Sequence, residues 1–356
     1  MQRLMSASLS NPTVVPKERM VWLDLFRGAA VVMMIEAHVI NTFLSDFSKS
    51  SVLFSWLNFF NGLVAPSFLF IAGYLQGLGM QRNRGNVPVK KWLRLLGLAA
   101  IGYALHAPTE LLRTGQFTEA LRVGSQVDIL QCLAVSLALL LAVQRWAGKA
   151  GTLVLAVCLA LMVGCAAVLN DWHGAPVPLR AFINASTGSL FPLFPWTGFV
   201  IAGALAAQVG VKSRQPGAGF VRNAAIDFAL PGAFFFLGYI ILAPFPYATL
   251  GIPFFIQRLA WVLGAAWMAK WMTSRIRPRW LQLAGRESLV MYVGHLVLIC
   301  CVAGWGVAQL DFPMAWRLYG ALLAATWLLA WTRSALVALF KPAPKLVWIA
   351  SVPEPA

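Results

Sequence analysis

Residues 21–44 read VWLDLFRGAAVVMMIEAHVINTFL. The run is long enough to cross a bilayer as a helix, which takes about 20 predominantly apolar residues. It is interrupted by Asp24, Arg27, Glu36 and His38. Ionisable groups are costly in hydrocarbon, roughly 2.5–3.5 kcal/mol each on insertion scales, so they are expected to face the interior of a helix bundle. Arg27 and His38 are separated by eleven helical steps. At about 100° per residue they return to within about 20° of one direction, and at about 1.5 Å per residue they lie roughly 16 Å apart along the axis. A fixed cation and a titratable imidazole on one face, at that separation, fit the two ends of an elongated anionic ligand held along a polar path. Asp24, three residues before Arg27, is placed to pair with it. The couple reads either as an interfacial ion pair or as a guanidinium fork for phosphate. Glu36 points about 160° away from His38 and is expected to meet another helix, at Arg258 or a backbone amide. Asn41, three residues after His38, is placed to share its pocket.

Working outward from this stretch, apolar runs of similar length recur along the whole chain. Of its 356 residues 60% are hydrophobic and 11% charged, against about a quarter charged in soluble proteins. Hydropathy predicts an all-α polytopic membrane protein of about ten transmembrane helices, near 21–44, 55–79, 91–107, 127–144, 150–169, 191–209, 224–243, 253–272, 287–307 and 316–335. A transmembrane domain over 21–340 is flanked by cytoplasmic tails at 1–20 and 341–356. The net charge of +16 is explained by topology rather than by nucleic acid. With the N-terminus inside, Arg27 lies in a span and Lys49, Arg113, Arg122, Arg180, Arg258 and Arg317 face outward. The rest of the 28 lysines and arginines fall on the cytoplasmic side, giving an N-in/C-in arrangement. Residues 1–20 contain no short apolar core before a cleavage site, so the first span is expected to stay as an uncleaved anchor. The location this implies is a cell membrane, the bacterial inner membrane, in multi-pass form.

Two longer outer segments stand out. Residues 108–126 place Leu111, Leu112, Phe117 and Leu121 at helical spacing and are expected along the interface or dipping into the bundle. Residues 170–190 are expected to cap the outer mouth. Prolines at Ala65-Pro66, Phe191-Pro192 and Phe194-Pro195 fall at or inside spans, where broken helices need protein or a watery cavity to satisfy the backbone. Five cysteines (Cys132, Cys158, Cys165, Cys300, Cys301) show no metal-type spacing and read as small core hydrophobes. No metal is expected. Asp128 and Gln131 open the fourth span on one face and are placed to line a polar cavity. Arg258, at the outer end of the eighth span, either snorkels or binds an acceptor. His106 and His295 read first as helix-contact histidines, with His295 the stronger candidate for a substrate contact.

The stretch WLDLFRGAAVVMMIEAHVINTFL, followed by APSFLFIAGYLQGLG (65–79), VDILQCLAV (127–135), FPLFPWTGFVIAGALA (191–206) and LAGRESLVMYVGHLVL (283–298), resembles the transmembrane acyltransferases typified by heparan-α-glucosaminide N-acetyltransferase and its bacterial relatives. The Arg-x10-His spacing is similar to that of the broader type 3 membrane acyltransferases. The chain departs from the pattern at Ala37, where an acid commonly precedes the histidine, and at Cys132, where a basic residue often follows the glutamine. The resemblance implies that His38 is the catalytic histidine and that Arg27 contacts acyl-CoA. The donor would be acetyl-CoA or another acyl-CoA, used without a metal. It implies a glycan or glycolipid acceptor among membrane lipids, and a homodimer.

These expectations give a candidate set. His38, Asn41 and Glu36 are catalytic candidates. Arg27, Asp24 and Gln131 are candidates for the donor, and Arg258, Asp128 and His295 for the acceptor. The reaction expected is acyl transfer across the membrane, with His38 as general base or transient acyl carrier. The competing reading is a transporter or flippase of a polar-lipid or sugar-lipid precursor. It accounts for Glu36 but not for the alignment of Arg27 with His38, and no inverted repeat is visible to support it.

Overall fold

The computed structural model describes residues 20–82, 85, 87–212, 225–242 and 251–340. The expected tails, apart from Met20, lie outside the described residues. Among the described residues the main helices are α1 (Val21–Phe43), α2 (Val52–Asn61), α3 (Val64–Arg82), α4 (Val89–Leu105), α5 (Phe117–Gly124), α6 (Ile129–Trp146), α7 (Gly151–Gly164), α8 (Leu193–Lys212), α9 (Leu230–Leu242), α10 (Ile252–Met272), α11 (Arg279–Arg286), α12 (Ser288–Gly304) and α13 (Phe312–Leu339). Short helical turns complete the connections. The chain is an all-helical, polytopic membrane protein.

A helix covers each of the ten expected spans, but the spans are unequal. Among the described residues, four stretches are long and apolar enough to cross a membrane: Val52–Gln81, Ile129–Trp146, Ile252–Met272 and Phe312–Leu339. Counting α11 and α12 together, bent by 82° at their junction, gives five. Gly151–Gly164, Leu193–Val209 and Ile226–Ile240 are shorter apolar helices. The reason for the difference is local. Asp24, Arg27 and Glu36 lower the apolarity of α1, α4 has only 17 residues, and the ninth predicted span is preceded by the short amphipathic α11, which turns sharply into α12.

Close packing in the bundle rests on missing side chains. Hydrophobic burial does not drive helices together inside lipid, and small residues let backbones approach. Gly73 and Gly77 of α3 lie against the backbone of Val200 and Ala204 in α8, and Gly203 of α8 against the carbonyl of Phe70. The same device holds α1 to α11, where Gly28 faces the Leu281 carbonyl and Gly285 the Asp24 carbonyl. At each place a Cβ would collide with backbone oxygen. A buried ion pair, Lys270 Nζ to Asp227 Oδ2 at 2.6 Å, and the Glu287–Arg333 pair tie the C-terminal parts of α10 and α13 into the bundle.

At the far end of α1, Ser45 N–H donates to the Leu310 carbonyl (2.8 Å), and Leu310 N–H donates to the Phe43 carbonyl (2.8 Å). Nearby, residues 184–191 are stitched to residues 122–127. Arg122 Nη1 and Gln126 Nε2 both donate to the Thr187 carbonyl (2.9 and 3.1 Å). Val127 N–H donates to Ser189 Oγ (3.0 Å) and Phe191 N–H to the Val127 carbonyl (3.1 Å). Gly188 makes this clasp with φ +95°, a conformation that favours glycine. The clasp fixes the chain immediately before Asp128. Residues 108–126 form two short helices separated at Gly115, with Leu112, Phe117 and Leu121 exposed. Ala120 and Ser125 are its buried positions. One further expectation needs correction: only Cys132 is a core residue, whereas Cys300 and Cys301 lie on the exposed flank of α12.

Candidate active site

Three of the four histidines of the chain gather near the clasp, delivered by α1, α4 and α12. The rings of His38 and His295 have centroids 5.1 Å apart. His295 is fully buried, and its Nδ1 lies 2.9 Å from the Met291 carbonyl. A carbonyl can only accept, so Nδ1 carries the hydrogen, and in the neutral ring Nε2 presents a lone pair. That Nε2 is buried and has no hydrogen-bond partner. His38, by contrast, is exposed, as are Asn41 and Thr42 on the same face of α1. One imidazole thus has accessible surface and is backed by a second whose tautomer is fixed.

The third histidine and a carboxylate complete the group. Asp128 occupies the N-cap position of α6 but makes no capping bond, although an Asp there usually stabilises a helix by about 1 kcal/mol. Its Oδ2 instead accepts from Tyr292 Oη at 3.0 Å and lies 3.5 Å from His106 Nε2. Tyr292 in turn meets the His295 ring edge-on, with centroids 5.7 Å apart. Asp128 and His106 lie within electrostatic reach of His38, as does His295. His106 Nδ1 is anchored on the Gly102 carbonyl (3.1 Å).

Gly102 serves a second purpose. A Cβ there would lie 2.7 Å from Gln131 Oε1, so the glycine makes room for the glutamine. Gln131 is 1% exposed, and neither its Oε1 nor its Nε2 has a partner. Each such group costs about 1–3 kcal/mol. An unpaired primary amide beside His106 and Asp128 has both a donor and an acceptor to offer a ligand.

The structure therefore brings together His38, Asp128 and His295, adds Gln131 at their edge, and recruits His106 and Tyr292, which sequence reasoning had set aside or missed. Tyr292 lies three residues before His295, on its helix face, and that spacing was the available signal. The remaining candidates lie elsewhere. Asn41 Nδ2 donates to its own helix at the Ala37 carbonyl (2.8 Å) on the exposed face shared with His38. Glu36 is on the opposite flank of α1, beside Asn61, so it is not in the histidine cluster. Arg258 does not meet Glu36. Its Nη1 donates to the Phe59 carbonyl (2.9 Å), and its guanidinium lies over the Phe59 ring (4.9 Å). Asp24 and Arg27 are half-buried near the α11 crossing, and both have partners.

One geometric expectation fails. The α1 face running from Arg27 to His38 carries Ala30, Val31 and Met34, each buried to within 4% of full burial. Packed apolar side chains, rather than an open polar path, separate the two groups.

The family model described as heparan-alpha-glucosaminide N-acetyltransferase, catalytic, matches residues 19–229, more than half of the chain. The chain belongs to this family. None of the curated proteins searched matches it. Family members are membrane acetyltransferases that draw on acetyl-CoA. The matched residues contain His38, His106, Asp128 and Gln131, whereas Tyr292 and His295 enter the site from a helix beyond them.

Proposed function

We propose that the protein transfers an acetyl group from cytoplasmic acetyl-CoA to a hydroxyl or amine of an extracytoplasmic glycan or glycolipid, in an N-in/C-in bundle whose histidine cluster lies toward the outer side. The observation that carries this reading is the pairing of an exposed His38 with a buried His295 whose accepting nitrogen is otherwise unpaired. The acceptor heteroatom attacks the thioester carbonyl of acetyl-CoA as His38 removes its proton. The carbon–sulfur bond breaks, the new ester or amide forms, and the His38 proton passes to the departing thiolate to give free CoA.

In this scheme His295 is a positioning residue. Its Nε2 lone pair accepts from an N–H of His38, leaving the other His38 nitrogen turned to the acceptor. This is the base-and-orienter logic of activated nucleophiles. The Tyr292–Asp128 bond clamps α12 to the start of α6, and the unpaired amide of Gln131 is a donor available to a developing oxyanion. Arg27 suits a CoA phosphate. Because Ala30, Val31 and Met34 fill the face between, the pantetheine arm must either part α1 from its neighbours there or reach His38 from the exposed side. A flippase is the weaker reading, since that packed face offers no polar route past His38.

The test is direct. With radiolabelled acetyl-CoA and a glycan amine or alcohol, His38→Ala should lower turnover at least about 10²-fold, the usual contribution of a general base, while CoA still binds. Unchanged turnover in that variant would remove His38 from the chemistry.

A further inference from the structure

On the flank of α1 turned away from His38, a cavity of about 240 Å³ opens between α1, α2 and α13. It has room for roughly eight waters at ~30 Å³ each. Its walls are Val32, Met33, Leu57, Phe60 and Trp316, and its polar residues are Glu36, Asn61 and Tyr319. Glu36 is 7% exposed, and its Oε1 is buried without a hydrogen-bond partner. Asn61 lines the same cavity as the Glu36 side chain, and the Tyr319 hydroxyl donates to the Val32 carbonyl at 3.4 Å. A carboxylate lining a largely apolar cavity needs a donor.

We propose that this cavity is a site for the hydroxyl end of a neutral lipid alcohol that enters from the bilayer.

The surroundings fix the direction of entry. Phe60 and Trp316 of its lining are exposed, and only 17% of the most apolar stretch of α13 is buried inside the molecule. The cavity therefore opens on the apolar surface that meets lipid tails, and an occupant arrives along an alkyl chain. The polar residues choose the head. A phosphate would face the Glu36 carboxylate as a like charge. Burial of an ammonium in so apolar a lining carries a large desolvation cost. A hydroxyl needs one acceptor and can also accept, so it suits Glu36 with or without a proton. The site is separate from the histidine cluster, because Glu36 and His38 project from opposite sides of α1.

The test uses the full-length protein in nanodiscs with a diazirine derivative of hexadecanol as photoprobe, and maps the crosslinked peptides by mass spectrometry. Labelling should concentrate on residues 32–36, 57–61 and 316–319. Hexadecanol should compete at least about tenfold better than its methyl ether, as expected for loss of one hydrogen bond to a carboxylate. Glu36→Leu should abolish that preference. Leu57→Trp, which fills the apolar wall and leaves the carboxylate intact, should reduce labelling severalfold. Equal competition by alcohol and ether would overturn the proposal. So would labelling spread evenly along Phe312–Leu339 and indifferent to Leu57→Trp. Neither measurement uses acetyl-CoA, so the result stands apart from the fate of the acetyl-transfer reading.

Discussion

Replacing His295 with phenylalanine keeps an aromatic ring against His38, where the centroids are 5.1 Å apart, and removes only the nitrogens. The structure lets the effect on folding and on catalysis be worked out separately. The wild-type ring buries Nε2 with no partner, and relieving an unsatisfied buried group is worth about 1–3 kcal/mol. The lost Nδ1–H bond to Met291 returns about 1 kcal/mol of destabilisation. That carbonyl lies four residues back on the same helix and keeps its backbone partner. The variant should therefore fold with a melting temperature within a few degrees of wild type. Catalysis should respond differently. In the reacting arrangement proposed above, where His38 turns an N–H onto Nε2, loss of that lone pair leaves the N–H unpaired, about 1–3 kcal/mol, or roughly 5- to 150-fold in kcat, with KM for acetyl-CoA little changed. His295→Gln supplies an acceptor oxygen and should recover part of the loss. In a His38→Ala background the phenylalanine should have no further effect, since its whole influence passes through His38. Steady-state transfer assays on the four variants, paired with thermal melts in detergent, decide the matter. Wild-type kcat in His295→Phe would refute the positioning role, as would losses that add fully in the double variant.

Three other outcomes are expected. Gly73→Ala places a methyl against the Val200 carbonyl and should cost about 3 kcal/mol or more, visible as lost monodisperse protein, whereas Gly97→Ala, with nothing within 4 Å, should be neutral. Met34→Ala, by opening the buried face between Arg27 and His38, should lower KM for acetyl-CoA if the pantetheine arm passes there and leave it unchanged if the arm comes from the exposed side. Arg122 holds the Glu119 carboxyl below the usual carboxylate range through their hydrogen bonds. The contribution of that pair to the clasp is thus complete above the ordinary carboxylate pKa and disappears as pH falls through the lowered one. Hydrogen exchange at residues 184–189 should be slow at neutral pH, rise only in strong acid, and already be fast at neutral pH in Arg122→Ala.

Much of the architecture was legible in the sequence because bilayer thickness and helical rise leave few choices for a chain this apolar. Each of the ten expected spans holds a helix. What hydropathy did not separate was length from composition: α1 is a full 23 residues, yet its ionisable groups leave it short of the apolarity of Phe312–Leu339. The sharp bend at Glu287 was equally hidden, since residues 279–304 read as a loop running into one span. The glycines were visible, but their partners were not. A Gly73-x-x-x-Gly77 spacing announces a close approach without saying that α8 supplies the other backbone.

The candidate site shows where one-helix geometry stops being informative. A helical wheel correctly separates Glu36 from His38, because both belong to one rigid element and the angle between them is fixed by the backbone. The same wheel aligns Arg27 with His38, but it says nothing about what fills the face between them. Ala30, Val31 and Met34 were on that face all along, and three apolar side chains are a poor lining for a polar path. The cluster that does form draws on residues 38, 106, 128, 131, 292 and 295, from four helices, and no periodicity links positions so far apart. One local anomaly nevertheless pointed to it. Asp128 sits where an aspartate would be expected to cap α6, and it forgoes that bond to hold Tyr292. A carboxylate withdrawn from its own helix terminus must be satisfied by another element, and that element, α12, is the one that carries His295 to the back of His38.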